Sequence, residues 1–242
     1  MIPKIIHQLW IGPKPPPTNL MNTWKTKHES HGFQYIRWTE EELKKRNFTS
    51  QVQPIIDDMI EINGKADILR WEILYEYGGV YLDIDVITLK SFESLIDYDC
   101  CLSGEKYIND HIKFSSNIND FSSITNAIII CKKKNKFIKK WLEMTESEYM
   151  SNDIWAWHAV LLPLEILKNN NYNIHIEPVE SFIPFNFRCH DILSDNKPID
   201  LNKSYCFHLW ETIWNDYLKS YTENSNNNTN LGNIISDILT IK

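Results

Sequence analysis

The sequence predicts an α/β fold in which a sheet is flanked by helices. Strand-like apolar runs alternate with helical patterns along the chain, which is the order of elements in α/β folds. Hydrophobic residues make up 43% of the 242 residues and charged residues 24%, which is enough to bury a sizeable core. We expect one domain over residues 1–222, followed by a low-complexity linker and a short C-terminal helix over residues 223–242.

The first part of the chain has clear start and stop signals. Strands are predicted at residues 4–11 and 33–38, and Thr39 with Glu42 forms a capping-box pattern that begins a helix. The helix predicted at residues 65–77 stops at Gly78 and Gly79, because glycine favours helix ends. Other helices are predicted at residues 18–28 and from Pro54 onwards.

A β-branched and aromatic strand is predicted next, over residues 80–87. Beyond it the pattern predicts a strand at residues 124–131, followed by a basic amphipathic helix. The remaining elements are a helix at residues 153–168 and extended segments at residues 174–187 and 203–210.

Charge and composition narrow the class of protein. The net charge of −7 disfavours a general nucleic-acid binder, which needs a basic surface. No apolar run reaches the ~18–20 residues of a membrane span, and the N-terminus does not resemble a signal peptide, so we expect a cytoplasmic protein. The five cysteines lack CxxC spacing and are expected to be reduced thiols. The lysines of residues 132–140 suit a solvated helix face, with peripheral contact to an anionic membrane or glycan left open.

Two carboxylates, Asp83 and Asp85, stand two residues apart in the predicted strand over residues 80–87. Alternation would place both on one side of that strand. Like charges this close in an apolar strand repel each other unless a cation joins them. Carboxylate oxygens suit Mn²⁺ or Mg²⁺, so the pair predicts a divalent metal site.

The preceding helix adds a second charged pair. Asp67 and Arg70 are three residues apart and share a helix face, while most of that helix, including Trp71, is apolar and expected in the core. A surface ion pair is the simpler interpretation. The alternative is that both side chains face the crevice at the strand ends, where open α/β sheets bind ligands.

The segment KADILRWEILYEYGGVYLDIDV resembles the signature of glycosyltransferase family 32, the DXD-containing sugar transferases. That family includes capsular polysaccharide enzymes, fungal α-1,6-mannosyltransferases and the catalytic domains of glucosylating toxins. The N-terminal segment IPKIIHQLWIG is also similar to the first strand of the family. The resemblance implies a GT-A fold, a Rossmann-like mixed sheet, and a retaining enzyme that transfers a hexose from a UDP- or GDP-sugar to a glycan, lipid or protein.

The same resemblance implies roles for individual residues. Asp67, Arg70, Asp83 and Asp85 would be the catalytic set, with Asp85 and His208 binding Mn²⁺ or Mg²⁺. The donor would be bound by Trp10, Ile11, Asp67, Arg70, Tyr81, Asp83, Asn126 and Trp214. Ile213 departs from the family pattern, in which a small hydroxyl residue is common, and Thr212 is its neighbour.

Two other functions remain open from the sequence. Asp83 and Asp85 also resemble the motif of haloacid-dehalogenase-type phosphatases, although Thr88 comes one residue late for that pattern. A non-catalytic carbohydrate-binding protein is the second alternative, and the complete set of charged residues argues against it. The sequence does not distinguish among donor sugars or acceptors.

Overall fold

The computed structural model describes residues 1–59, 61–105, 115–148, 157–185, 199–210 and 232–234. The strands are Ile5–Leu9 (β1), Gln34–Trp38 (β2), Gly79–Leu82 (β3), Val86–Thr88 (β4), Cys100–Glu105 (β5), Ser123–Ile124 (β6), Ile128–Cys131 (β7), His175–Glu177 (β8) and Cys206–His208 (β9). The helices are Thr18–Met21 (α1), Thr23–His28 (α2), Glu40–Lys45 (α3), Gln53–Asp58 (α4), Ile62–Tyr77 (α5), Lys136–Glu148 (α6), Leu162–Asn169 (α7) and Val179–Phe182 (α8). A π-helix, Trp157–Leu161, leads into α7.

A seven-stranded mixed sheet forms the centre of the fold, in the order β2-β1-β3-β7-β5-β6 with β8 also paired to β5. The β1–β2, β1–β3 and β5–β8 pairs are parallel, whereas β7 runs antiparallel to both β3 and β5. Strands β4 and β9 form a separate antiparallel ribbon. The α/β prediction is therefore confirmed.

Helix α5 is the central helix of the fold. It is buried from Asp67 to Leu74, with Trp71 fully enclosed, and it ends at Gly78 as predicted. Gly78 and Gly79 both have positive φ angles, of 65° and 113°. A Cβ atom on Gly79 would lie 2.6 Å from the carbonyl oxygen of Ile5, so this glycine lets β3 run directly beside β1.

Several predicted elements have different bounds in the structure. The segment of residues 18–28 forms two short helices, and the segment predicted as extended over residues 174–187 contains the helix α8. The strand predicted at residues 124–131 is broken between β6 and β7 by residues 125–127. Thr39 caps α3 as predicted, since its hydroxyl accepts the amide hydrogen of Glu42 at 3.2 Å.

No helix in the described part of the chain has the length and apolar character needed to cross a membrane. Three of the six lysines in residues 132–140 pair with carboxylates: Lys132 with Asp99, Lys134 with Glu76 and Lys139 with Glu143. The predicted domain boundary at residue 222 lies outside the described residues.

Candidate active site

Asp83 and Asp85 lie on a turn between β3 and β4, not within one strand. The prediction of a continuous strand over residues 80–87 is wrong. The amide of Val86 donates to the carbonyl oxygen of Asp83 at 3.0 Å, which closes the turn and directs β4 away from the central sheet. The turn, and not strand alternation, gives the two carboxylates their common direction.

The β4–β9 ribbon brings His208 to this turn. Val86 pairs with His208 in the ribbon, and the amide of Leu209 donates to the carbonyl oxygen of Asp85 at 3.1 Å. The Nε2 atom of His208 lies 3.1 Å from Oδ1 of Asp85. One potential ligand atom each from Asp83, Asp85 and His208 lie within 4.8 Å of one another.

Arg70 holds the carboxylate of Asp83 from the other side. Its Nη2 atom lies 3.0 Å from Oδ1 of Asp83, and its Nη1 atom donates to Oδ2 of Asp83 at 3.1 Å. Nη2 also lies 3.0 Å from Oδ1 of Asp67, so the guanidinium joins two acids. The Tyr81 hydroxyl donates to Oδ1 of Asp83 at 3.2 Å. Both oxygens of Asp83 are thus engaged, and the bidentate geometry fixes their orientation.

Asn126 comes from the break between β6 and β7 and meets the same cluster. Its Nδ2 atom donates to Oδ1 of Asp67 at 2.7 Å, and its Oδ1 atom accepts the indole N–H of Trp71 at 2.8 Å. Arg70 donates to the backbone carbonyl of Asn126 at 2.8 Å. Oδ2 of Asp67 is buried and accepts no hydrogen bond within the described part of the chain.

The buried charges leave an excess of negative charge. Burial raises the pKa of Asp67 to about 7, against the attraction of Arg70. Burial and then the charge of Asp85 raise the pKa of Asp83, although Arg70 and His208 oppose this. Burial disfavours the charged form of His208, but the neighbouring acids, Asp85 first, raise its pKa above the ordinary value. A site with this balance of charge favours a cation.

The remaining predicted residues have different outcomes. Trp10 and Ile11 follow β1, and the Trp10 indole donates to the carbonyl oxygen of Lys14 at 2.7 Å. Since β1 and β3 are parallel, Trp10 and Asp83 lie at the same edge of the sheet. Their predicted contacts with a donor stay predictions. Trp214, Thr212 and Ile213 lie outside the described residues.

Two further residues near the turn, Gln8 and Glu105, were not predicted from the sequence. Gln8 on β1 donates through Nε2 to the carbonyl oxygen of Asp83 at 3.3 Å. Glu105 ends β5; burial raises its pKa, and the charge of His208 opposes that shift. In the sequence, Glu105 stands out as an acid at the end of the apolar run CCLSGE, which could have marked it as a candidate. Its approach to His208 depends on strands far apart in the chain.

Comparison with known proteins gives similarities in both sequence and fold. The family described as "Glycosyltransferase sugar-binding region containing DXD motif" matches residues 17–102. Residues 17–102 are therefore similar to the sugar-binding region of the DXD-containing transferases, as the sequence predicted. The solved PaToxG glycosyltransferase shares the fold with a TM-score of 0.52 at 21% identity, covering 69% of each chain, which confirms the GT-A prediction.

Two curated relatives are similar over part of the chain. Glucan organizing enzyme 1 of Cryptococcus neoformans is 27% identical over 165 residues, covering 66% of this chain and 43% of the relative. Inositol phosphoceramide mannosyltransferase 1 of Schizosaccharomyces pombe is 35% identical over 101 residues, covering 39% of this chain and 31% of the relative. The chain therefore spans less than half the length of both relatives.

Proposed function

We propose that this protein is a metal-dependent retaining glycosyltransferase that transfers a hexose from a UDP- or GDP-sugar to a hydroxyl group of a glycan, lipid or protein. The observation that carries the proposal is the convergence of Asp83, Asp85 and His208 beside the Asp67–Arg70 pair. The match to the DXD sugar-binding region supports the same activity. The fission-yeast relative is named a mannosyltransferase, so mannose is the first sugar to test among these donors.

The donor set suits a divalent ion. Asp85 and His208 would hold Mn²⁺ or Mg²⁺, with Asp83 beside them, because carboxylate oxygens and an imidazole nitrogen converge there. When bound, the ion supplies positive charge for the diphosphate leaving group. His208 must release its proton to act as a ligand, so low pH would weaken binding.

The chain's own residues would orient the donor sugar. Asp67 offers the buried Oδ2 atom to a sugar hydroxyl, while Arg70 and Asn126 fix its other oxygen. The negative charges of Asp83 and of ionised Asp67 would stabilise the positive charge that develops on the sugar ring. We propose that the acceptor hydroxyl attacks the face from which the diphosphate departs and passes its proton to a phosphate oxygen.

The two alternative functions fit the geometry less well. A phosphatase of the haloacid-dehalogenase type needs a carboxylate free to attack phosphorus, but Arg70 and Tyr81 engage both oxygens of Asp83. We expect a binding protein with a decayed site to lose ion pairs such as those that join Arg70 to Asp67 and Asp83.

The test is release of nucleoside diphosphate from a panel of UDP- and GDP-sugars, with Mn²⁺ or Mg²⁺ and with simple glycoside acceptors. Asp85→Asn should reduce the rate at least about a hundredfold, because it removes a charged ligand of the metal ion that would neutralise the departing diphosphate. Asp99→Asn is the matched control, since Asp99 is an exposed acid paired with Lys132. Absence of release from every donor, or equal release by Asp85→Asn, would refute the proposal.

A further inference from the structure

A second cluster of metal-ligating side chains lies on β5 and β8. These strands are parallel, with Cys101 opposite His175 and Ser103 opposite Glu177. Paired residues in a sheet project to the same face, and so do residues two apart along a strand. Cys101, His175 and Glu177 therefore share one face of the sheet. They lie on strands other than β3 and β4, which flank Asp83 and Asp85, and β9, which carries His208.

The side chains of this cluster converge. The Cys101 sulfur, a ring nitrogen of His175 and a carboxylate oxygen of Glu177 all lie within 4.8 Å of one another. Nε2 of His175 is 2.7 Å from Oε1 of Glu177. These separations are close to those of ligands around a single ion, so binding requires small side-chain movements and no change in the backbone.

Neighbouring groups hold two of the three ligands in place. Tyr98 stacks on the His175 ring, with centroids 3.8 Å apart and planes 2° apart. The Ser181 hydroxyl at the end of α8 donates to Oε2 of Glu177 at 2.7 Å, leaving Oε1 for the cluster. Outer contacts of this kind orient ligands in established metal sites.

Burial gives the cluster a closed side and an open side. Cys101 is fully buried, whereas the side chains of His175 and Glu177 are 31% and 13% exposed. A metal ion can therefore enter from solvent beside His175 and reach the sulfur beneath it. Three protein ligands leave one position of a tetrahedral ion for water.

We propose that Cys101, His175 and Glu177 form a zinc site that is separate from the site at Asp83 and Asp85. One thiolate, one imidazole and one carboxylate are the ligand types that Zn²⁺ binds most readily, whereas Mg²⁺ and Mn²⁺ prefer oxygen. The ion would fasten the edge strand β8 to β5 and, through Ser181, to α8. The site does not depend on the proposed transferase activity.

The test uses Co²⁺ as a spectroscopic substitute for Zn²⁺ in the Asp85→Asn protein, where the first metal site is disabled. Coordination by Cys101 should give a thiolate-to-cobalt charge-transfer band in the near ultraviolet, and addition of Zn²⁺ should abolish it.

Cys101→Ser should remove the band. His175→Asn and Glu177→Gln should weaken binding while leaving the buried core unchanged, so that a folding failure of Cys101→Ser does not decide the result. Ser181→Ala should lower affinity by about 10–100-fold.

Cys131→Ser is the matched control, because it removes a buried thiol outside the cluster, and it should keep the band. No thiolate band in the folded Asp85→Asn protein would overturn the proposal, leaving a hydrogen-bonded His175 and Glu177 beside a buried thiol. A band that survives in folded Cys101→Ser, or that is unaffected by both His175→Asn and Glu177→Gln, would also overturn it.

Discussion

The indole of Trp71 sets the orientation of the Asn126 side chain. Because an indole N–H only donates, it must face Oδ1 of Asn126, and this directs Nδ2 toward Asp67. The second oxygen of Asp67, Oδ2, is left without a hydrogen-bond partner among the described residues. Trp71 was predicted to be a core residue, and it is fully buried, but its one polar atom also bears on the candidate site.

We expect Trp71→Phe to lower kcat/KM for nucleoside diphosphate release about tenfold, since losing one hydrogen bond in a buried network costs about 1–2 kcal/mol. Trp141→Phe is the matched control. Trp141 stacks on Trp71 at 4.2 Å, but its indole donates to the carbonyl oxygen of His158. Both variants should lose comparable stability, measured by urea unfolding. Equal kcat/KM in the two variants would assign Trp71 a packing role alone.

Among the helices and strands, the sequence predicted those whose positions depend on residues close together in the chain. Helix α5 and its end at Gly78 follow from an apolar pattern and a glycine pair. The turn at Asp83 was not predictable in this way, because residues 80–87 have the composition of one strand. The second half of this segment belongs to β4, which pairs with β9 more than a hundred positions further along the chain. That non-local pairing overrides strand propensity.

The junction between α5 and β3 depends on Gly79. We expect Gly79→Ala to destabilise the protein by more than about 3 kcal/mol, because it combines an unfavourable φ angle with a clash against the backbone of β1. Gly32→Ala is the matched control: Gly32 has a φ angle of 77°, but a Cβ atom there meets nothing within 4 Å. It should cost about 1 kcal/mol. Similar losses in urea unfolding would show that β1 yields to the added methyl group.

For the whole molecule, the sequence predicted the fold class and most of the charged residues that meet at the candidate site. Asp67 and Arg70 were identified by helix spacing, and Asp83 and Asp85 by their motif. The partners that complete the arrangement come from distant strands: Gln8, Glu105 and the backbone of Asn126. Their positions depend on strand order and register, which single-sequence patterns do not specify.

Two buried histidines, His7 and His28, make the stability of the folded protein depend on pH. The Trp38 indole donates to Nδ1 of His7, so Nε2 carries the hydrogen and donates to the carbonyl oxygen of Gly78. His28 is arranged likewise, because the amide of Phe92 donates to Nε2 and Nδ1 donates to the carbonyl oxygen of Trp24. Each ring is neutral. Protonation would add an N–H to the ring nitrogen that now accepts from Trp38 or Phe92, so that two donors would face each other. Burial lowers the pKa of both to about 4.

The lowered pKa values predict the sign of a pH effect. The unfolded chain binds a proton at each histidine below pH 6.5, whereas the folded protein resists it until about pH 4. The contribution of each neutral histidine to the free energy of unfolding is therefore complete above pH 6.5. It is lost as pH falls toward 4, by up to about 3 kcal/mol per histidine.

Comparison of the wild type with His7→Gln isolates the contribution of His7. The raised pKa of Asp67 acts in the opposite direction, but it is common to both proteins. The difference in unfolding free energy between wild type and His7→Gln should shrink over this range in urea titrations, and His28→Gln should behave in the same way. A difference that stays constant with pH would mean that His7 is not held neutral by its surroundings.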